Sequence, residues 1–249
     1  MILLIDIGNS RIKAALFAEG DIQPCFAAAY EKDEIGVCMD SHLDKDIKPA
    51  RVLVSSVAGN KVNRELSLYA EQQWSLEIEF ASVASEAAGV INGYRSSETL
   101  GVDRWSALVA GWSCYRSALV VVDCGTALTV DLVSDGGLHL GGFILPSLEL
   151  MSSSLGASTE QISADLEHSH ASIEPGDSTA SCIANGALAA IISLVESSFK
   201  QLSPGQENQC HCVITGGNAE QILESLSIKF DHDPYLVLRG VAILLEAAS

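Results

Sequence analysis

One short pattern occurs twice in this chain, 117 residues apart: an apolar run, an Asp, any residue, a Gly, a small polar residue and a returning apolar stretch. The first copy is Ile2-Leu3-Leu4-Ile5 followed by Asp6-Ile7-Gly8-Asn9-Ser10-Arg11-Ile12-Lys13. The second is Leu119-Val120-Val121-Val122, then Asp123-Cys124-Gly125-Thr126-Ala127, then Leu128 to Val133. Each copy reads as a β-hairpin with a polar tip. A repeat at half the chain length constrains the fold more than either copy alone, because it calls for two related halves.

The tip chemistry suits an anion. Gly8 has no Cβ, so its backbone can take positive φ and come close to an anion. Asn9 and Ser10 are short donors, and free N–H groups there can form an anion nest. Lys13 adds positive charge, whereas Asp6 would repel a phosphate and is expected to hold a hydrated Mg²⁺ that bridges to it. A surface hairpin closed by Asx-type turns is the alternative for one copy on its own. Two such hairpins facing each other would clamp a polyphosphate and its metal from both sides.

The remaining chain follows an α/β grammar. Ile22 to Ala29, Arg51 to Ser55 and Leu76 to Phe80 read as strands, with helices predicted within 31–48, over Asn60 to Trp74 and over Trp105 to Tyr115. In the second half, strands are predicted over Leu138 to Ile144 and Cys212 to Thr215. Helices are predicted from Pro146, over Thr179 to Lys200, from the Gly216-Gly217-Asn218 turn to Leu226, and over Leu236 to Ala247. The Ser-rich stretch from Ser152 to Ser178 is expected to be a loop. The domains are therefore expected to be 1–117 and 118–249.

Composition narrows the partners. With 32 acidic against 14 basic residues the formal charge is −18, which opposes a nucleic acid backbone or an anionic membrane surface. An anionic substrate would need cations supplied locally. The seven cysteines form an odd set without C-x-x-C spacing, a usage that points to a reduced, cytoplasmic protein. Cys210-His211-Cys212 runs into Val213-Ile214 and reads as a buried strand rather than a zinc site. The N-terminus lacks the features of a signal peptide, and no apolar run of about 18 residues suggests a membrane span.

Several residues carry two readings each. Asp103-Arg104 is either a helix N-cap beside a solvated Arg, or a carboxylate that can take a proton next to a fixed positive charge. Tyr94 either packs a loop or touches a ligand. Thr179 is either an N-cap or a substrate contact, and Asp123 either a strand end facing water or an oxygen ligand for a hard cation.

Taken in order, Asp6-Ile-Gly-Asn-Ser with Lys13, Asn92-Gly-Tyr94, Gly101-Val-Asp-Arg104, Asp123-Cys-Gly-Thr-Ala127, Gly141-Gly-Phe-Ile-Leu-Pro146 and Pro175-Gly-Asp-Ser-Thr179 closely resemble the type III pantothenate kinases. That family belongs to the actin and sugar kinase ATPase superfamily. The resemblance implies two duplicated ribonuclease H-like domains with a nucleotide cleft between them. It also implies phosphorylation of pantothenate by ATP, the first step of coenzyme A synthesis, in a homodimer needing Mg²⁺ and a monovalent cation, K⁺ or NH₄⁺. By position, Asp6 to Lys13 would form the first ATP phosphate loop (Asp6, Ile7, Gly8, Asn9, Ser10, Arg11, Ile12, Lys13), and Thr126 a second ATP contact. Asp123 would bind the monovalent cation. Tyr94, Gly101, Val102, Asp103 and Arg104 would line the pantothenate pocket, Thr179 would reach substrate on the other subunit, and Asp103 would be the general base. Ser147 departs from the Gly that the family usually places after the proline.

Overall fold

The computed structural model describes residues 1–32, 34–156, 171–203 and 210–246. They fall into two compact units, each built on a five-stranded sheet.

The first unit opens with β1 (Ile2–Ile7), β2 (Arg11–Ala18) and β3 (Asp21–Ala29), followed by α1 (Ile35–His42), β4 (Arg51–Ser56), α2 (Asn60–Trp74) and β5 (Ile78–Phe80). The small hairpin β6 (Glu86–Ala87) and β7 (Val90–Ile91), a 3₁₀ turn at Ser97–Thr99 and α3 (Val102–Tyr115) complete its N-terminal stretch. Its sheet order is β3-β2-β1-β4-β5. β2 runs antiparallel to both β1 and β3, whereas β4 runs parallel to β1 and β5 parallel to β4. Strands β1 and β4 are apolar on both faces because both faces are covered. Leu3, Ile5, Ile7, Val52 and Val54 pack with α1 and α2. Leu4 and Leu53 pack instead against Leu238, Val241 and Ala242.

Those last three residues lie on α7 (Leu236–Glu246), the C-terminal helix, which thereby belongs to the first unit. This corrects the contiguous 118–249 assignment. The units are Met1–Arg116 with Gly137–His139 and Tyr235–Ser249, and Ser117–Gly136 with Leu140–Pro234. The reason lies in packing: the second apolar face of β1 and β4 needs a cover, and the apolar helix that supplies it comes from the far end of the chain.

The second unit repeats the plan. β8 (Ala118–Cys124), β9 (Ala127–Val133), β10 (His139–Pro146), β11 (Cys210–Thr215) and β12 (Asp231–His232) form a sheet of order β10-β9-β8-β11-β12. β8 pairs antiparallel with β9 and parallel with β11, as β1 does with β2 and β4. The helices are α4 (Leu148–Gly156), α5 (Thr179–Leu202) and the short α6 (Ala219–Leu223), which stops before the predicted Leu226. Most of the Ser152–Ser178 loop expectation, 157–170, lies outside the described residues, and Ser152 to Gly156 are helical.

α5 contradicts the expectation that nothing in the chain is long and apolar enough to span a membrane, since its 24 residues meet that test by length and composition. Its apolar stripe is used for packing instead: Leu188, Ile191, Ile192, Val195 and Phe199 join Val120, Val122, Val130 and Ile214 in one core. The start of α5 is fixed by a capping box, in which Ser178 Oγ accepts from the Ser181 N–H at 3.2 Å and Ser181 Oγ from the Ser178 N–H at 2.9 Å.

Beside β1, Arg51 Nε and Nη2 donate to the two carboxylate oxygens of Glu79 at 2.7 and 2.6 Å, joining β4 to β5. This bidentate bond holds the Glu79 carboxyl below its ordinary value, chiefly through the hydrogen bonds from Arg51. Both side chains are over a third exposed, so the pair is expected to contribute only about 0.5 kcal/mol. Because the folded-state pKa is lowered, the contribution is complete above the ordinary carboxyl range and is lost as pH falls through the lowered value. Urea titrations of Glu79→Gln should therefore show its deficit at pH 7, vanishing toward pH 3.

Candidate active site

In the first hairpin, the strands that flank the tip fix the spacing of charges. Asp6 lies in register with Lys13 on β2 and with Ser55 on β4. Lys13 is thus directly across the strand pair from Asp6, closer than a charge further along the hairpin would be. Ser55 Oγ is fully buried and has no hydrogen-bond partner among the described residues. The turn is closed by the Gly8 N–H donating to the Arg11 carbonyl at 2.9 Å, and the Tyr30 hydroxyl donates to the Gly8 carbonyl at 2.8 Å. Burial pushes the Tyr30 phenol up, keeping it a donor at neutral pH.

Neither Gly8 nor Gly125 has positive φ, and a Cβ on either would meet only ordinary contacts. Their own turns do not require glycine. Ile7 and Ile12 are core residues that anchor the hairpin, while Asn9, Ser10 and Arg11 are exposed at its tip.

The second hairpin has the same arrangement. Asp123 lies in register with Thr129 on β9 and Thr215 on β11. A carboxylate thus stands between two hydroxyl-bearing residues on neighbouring strands. Thr215 Oγ1 is buried without a hydrogen-bond partner among the described residues, matching Ser55 in the first unit. These are hard oxygen donors, which fits the monovalent cation that the sequence resemblance implies. Burial, reinforced by the Asp123 charge, pushes the Cys124 thiol well up, so Cys124 is a packing residue rather than a thiolate. Thr126 is exposed at the tip.

The third group surrounds the start of α3. Gly101 occupies the cap position in extended conformation, so Asp103 and Arg104 lie in the first helical turn, three residues earlier than the predicted helix. Asp103 is therefore not the N-cap. Its Oδ1 accepts from the Arg104 N–H at 2.7 Å, and the helix N-terminus favours its negative charge. The side chain of Arg104, only 8% exposed, reaches back to Tyr94: Nη1 donates to the Tyr94 hydroxyl at 2.9 Å, and the guanidinium carbon lies 5.7 Å from the ring centroid. Asn92 shapes that loop by accepting from the Tyr94 N–H at 3.0 Å. The structure thus joins Tyr94 to Arg104, beside Asp103.

Thr179 is the first residue of α5 and exposed; the capping role belongs to Ser178. It borders a cavity of about 530 Å³ between α4 and α5, lined by Pro146, Met151, Leu155 and Ile183 among others. Ser147 is buried, and its Oγ accepts from the Leu150 N–H at 3.2 Å, so the residue that departs from the family pattern caps α4.

Ser55 and Thr215 were not picked out from the sequence, although each ends an apolar strand run as Asp6 and Asp123 do. Tyr30 and His139, which stacks on Tyr94, carry no local signal of their roles.

The family model for type III pantothenate kinase matches residues 2–201. The chain belongs to the type III pantothenate kinase family. A type III pantothenate kinase of Nitrosococcus oceani is 37% identical over 258 residues, covering all of this chain and 95% of its own. One from Halorhodospira halophila is 33% identical, covering 97% of this chain and 96% of its own. Among solved structures, a Baf family protein from Campylobacter jejuni matches with a TM-score of 0.60 at 21% identity, covering 98% of this chain and 97% of its own. The ROK hexokinase of Thermus thermophilus matches with a TM-score of 0.50 at 12% identity, over 100% and 99% of the two chains. At such identities these structures establish the fold alone, the two-domain actin-like ATPase architecture that the duplicated sheets display. All the motif residues from Asp6 to Thr179 fall within the segment matched to the type III pantothenate kinase family.

One glycine beside the second hairpin is conformationally required. Gly216 has φ +99°, follows Thr215 directly, and a Cβ there would run into the Cys124 backbone. Gly216→Ala should cost about 3 kcal/mol in chemical denaturation, combining backbone strain with overpacking.

Proposed function

We propose that this chain transfers the γ-phosphoryl group of ATP to the primary hydroxyl of pantothenate, forming 4'-phosphopantothenate at the first step of coenzyme A biosynthesis. The observation that supports this reading most is the buried Arg104, tied to Tyr94 and next in sequence to Asp103, in a chain of this family. A guanidinium held in one place suits the carboxylate of pantothenate, since planar forked recognition works only when the fork is fixed. Tyr94, Gly101, Val102 and Arg104 then form the acceptor pocket.

Phosphoryl transfer proceeds through a loose transition state, so the residues chiefly align the reactants and balance charge. Asp103 orients the acceptor hydroxyl and takes its proton late, because a carboxylate is too weak a base to ionise an alcohol beforehand. Asp6 to Lys13 hold the phosphates through the exposed tip residues and Lys13, and Thr126 makes a second ATP contact. Asp123, with Thr129 and Thr215 at its level, would hold a monovalent cation, and Asp6 would hold Mg²⁺. When bound, the metals would add positive charge to that of Lys13, in a chain whose formal charge is −18. Thr179 reaches the acceptor bound to a second copy of the chain in a homodimer. The seven free cysteines and the acidic charge fit a cytoplasmic enzyme with neither nucleic acid nor membrane as partner.

A coupled ADP-release assay tests the reaction: release should require pantothenate and rise with potassium, and none above background under either condition rejects it. Asp103→Asn should lower kcat by about 100-fold or more with folding retained, while near-normal turnover removes Asp103 as the base. In Asp123→Ala, potassium titration should lose its activating effect; an unchanged activation curve moves the cation elsewhere.

A further inference from the structure

His139 belongs to no motif considered so far, yet its surroundings set it apart. It is fully buried, and its imidazole lies on the Tyr94 ring with centroids 5.5 Å apart and planes 20° from parallel. Tyr94 in turn accepts the Arg104 hydrogen bond and carries the guanidinium near its ring. The three side chains form a continuous series from core to site: imidazole, phenol, guanidinium.

His139 is anchored through Gly137 and Leu138, which meet the β6–β7 hairpin and the later turns of α3 rather than Tyr94 or Arg104 themselves. Residues Gly137–His139 come from the second half of the sequence but pack in the first unit. The Ile91 N–H donates to the Gly137 carbonyl at 2.9 Å, and Ile91 bridges to Leu138. Gly137, at φ +83°, lets the backbone pass the Gly89 carbonyl and the Trp112 indole, where a Cβ would collide. A short β10 entry is thus fastened to the β6–β7 hairpin, and the ring it carries meets Tyr94 from a fixed frame.

We propose that His139 is a positioning residue for the acceptor pocket, its flat buried ring fixing Tyr94 and, through Tyr94, the Arg104 guanidinium. The proposal rests on the reading of Tyr94 and Arg104 as pantothenate contacts. An Arg side chain has many rotamers, so a single useful orientation needs support from its neighbours. The ring on Tyr94 supplies it, and a shape-matched aliphatic side chain would fill the space without holding the phenol plane.

The comparison of His139→Leu with His139→Phe separates the ring's role from space filling. In His139→Leu, KM for pantothenate should rise about tenfold with KM for ATP within about twofold of wild type, and His139→Phe should recover most of the loss. An unchanged pantothenate KM in His139→Leu overturns the proposal. So does an equal rise in both KM values, or a Phe variant as impaired as the Leu variant. A measurement on the wild-type protein covers the case in which the variants fail to fold: with ¹³C-labelled histidine, the His139 ring signal should shift on addition of pantothenate and not of ATP. A signal unmoved by saturating pantothenate overturns the proposal. If wild-type protein releases no ADP with pantothenate, the proposed function itself fails, and the acceptor role of His139 with it.

Discussion

In both units the two parallel central strands are buried on both faces, and the site geometry depends on that constraint. A strand covered on both sides must be apolar along its length, so its polar residues are confined to its ends. Asp6, Ser55 and Asp123 are the next-to-last residues of β1, β4 and β8, and Thr215 is the last of β11, with Asp6 and Ser55 in register and Asp123 and Thr215 likewise. Parallel neighbours bring those ends side by side, and a β-hairpin turns back immediately beyond the acidic one. Ligands of open α/β sheets gather at the carboxyl ends of strands for the same reason: the backbone emerges there with polar groups that the core could not accept.

Demand for cover also explains the one element that sequence order misassigned. The second face of β1 and β4 presents Leu4 and Leu53, and α7 answers with Leu238, Val241 and Ala242. A helix at the end of the second half therefore completes the first unit. Gly137 to His139 make the same crossing on a smaller scale and bring His139 against Tyr94. Duplication at the level of sheets is consequently not a division of the sequence into two consecutive pieces.

Asp103 and Arg104 are placed by a different device. They are consecutive, so on a helix their side chains project in different directions. Beginning α3 at Val102 places Asp103 in the favourable first turn and turns Arg104 toward Tyr94. One helix start thus separates the Asp103 carboxylate from the Arg104 guanidinium while keeping the two residues adjacent. Ser147 illustrates the tolerance of such starts: a serine in place of the family's usual glycine becomes a cap for α4.

The sequence by itself determined the duplication, the strands bearing Asp6 and Asp123, the helix over Asn60 to Trp74 and the family motifs, because apolar periodicity and fixed spacing are local properties of the chain. It did not reveal that Gly8 and Gly125 adopt ordinary backbone angles, since glycine permits positive φ without requiring it. Nor did it set Ser55 and Thr215 beside the two aspartates, join Tyr94 to Arg104, or seat His139 behind them. Those partners lie between 10 and 92 residues apart in sequence. Strand register, the cover of a second apolar face and the packing of a buried ring are decided only when distant segments meet, so the tertiary structure alone could place them.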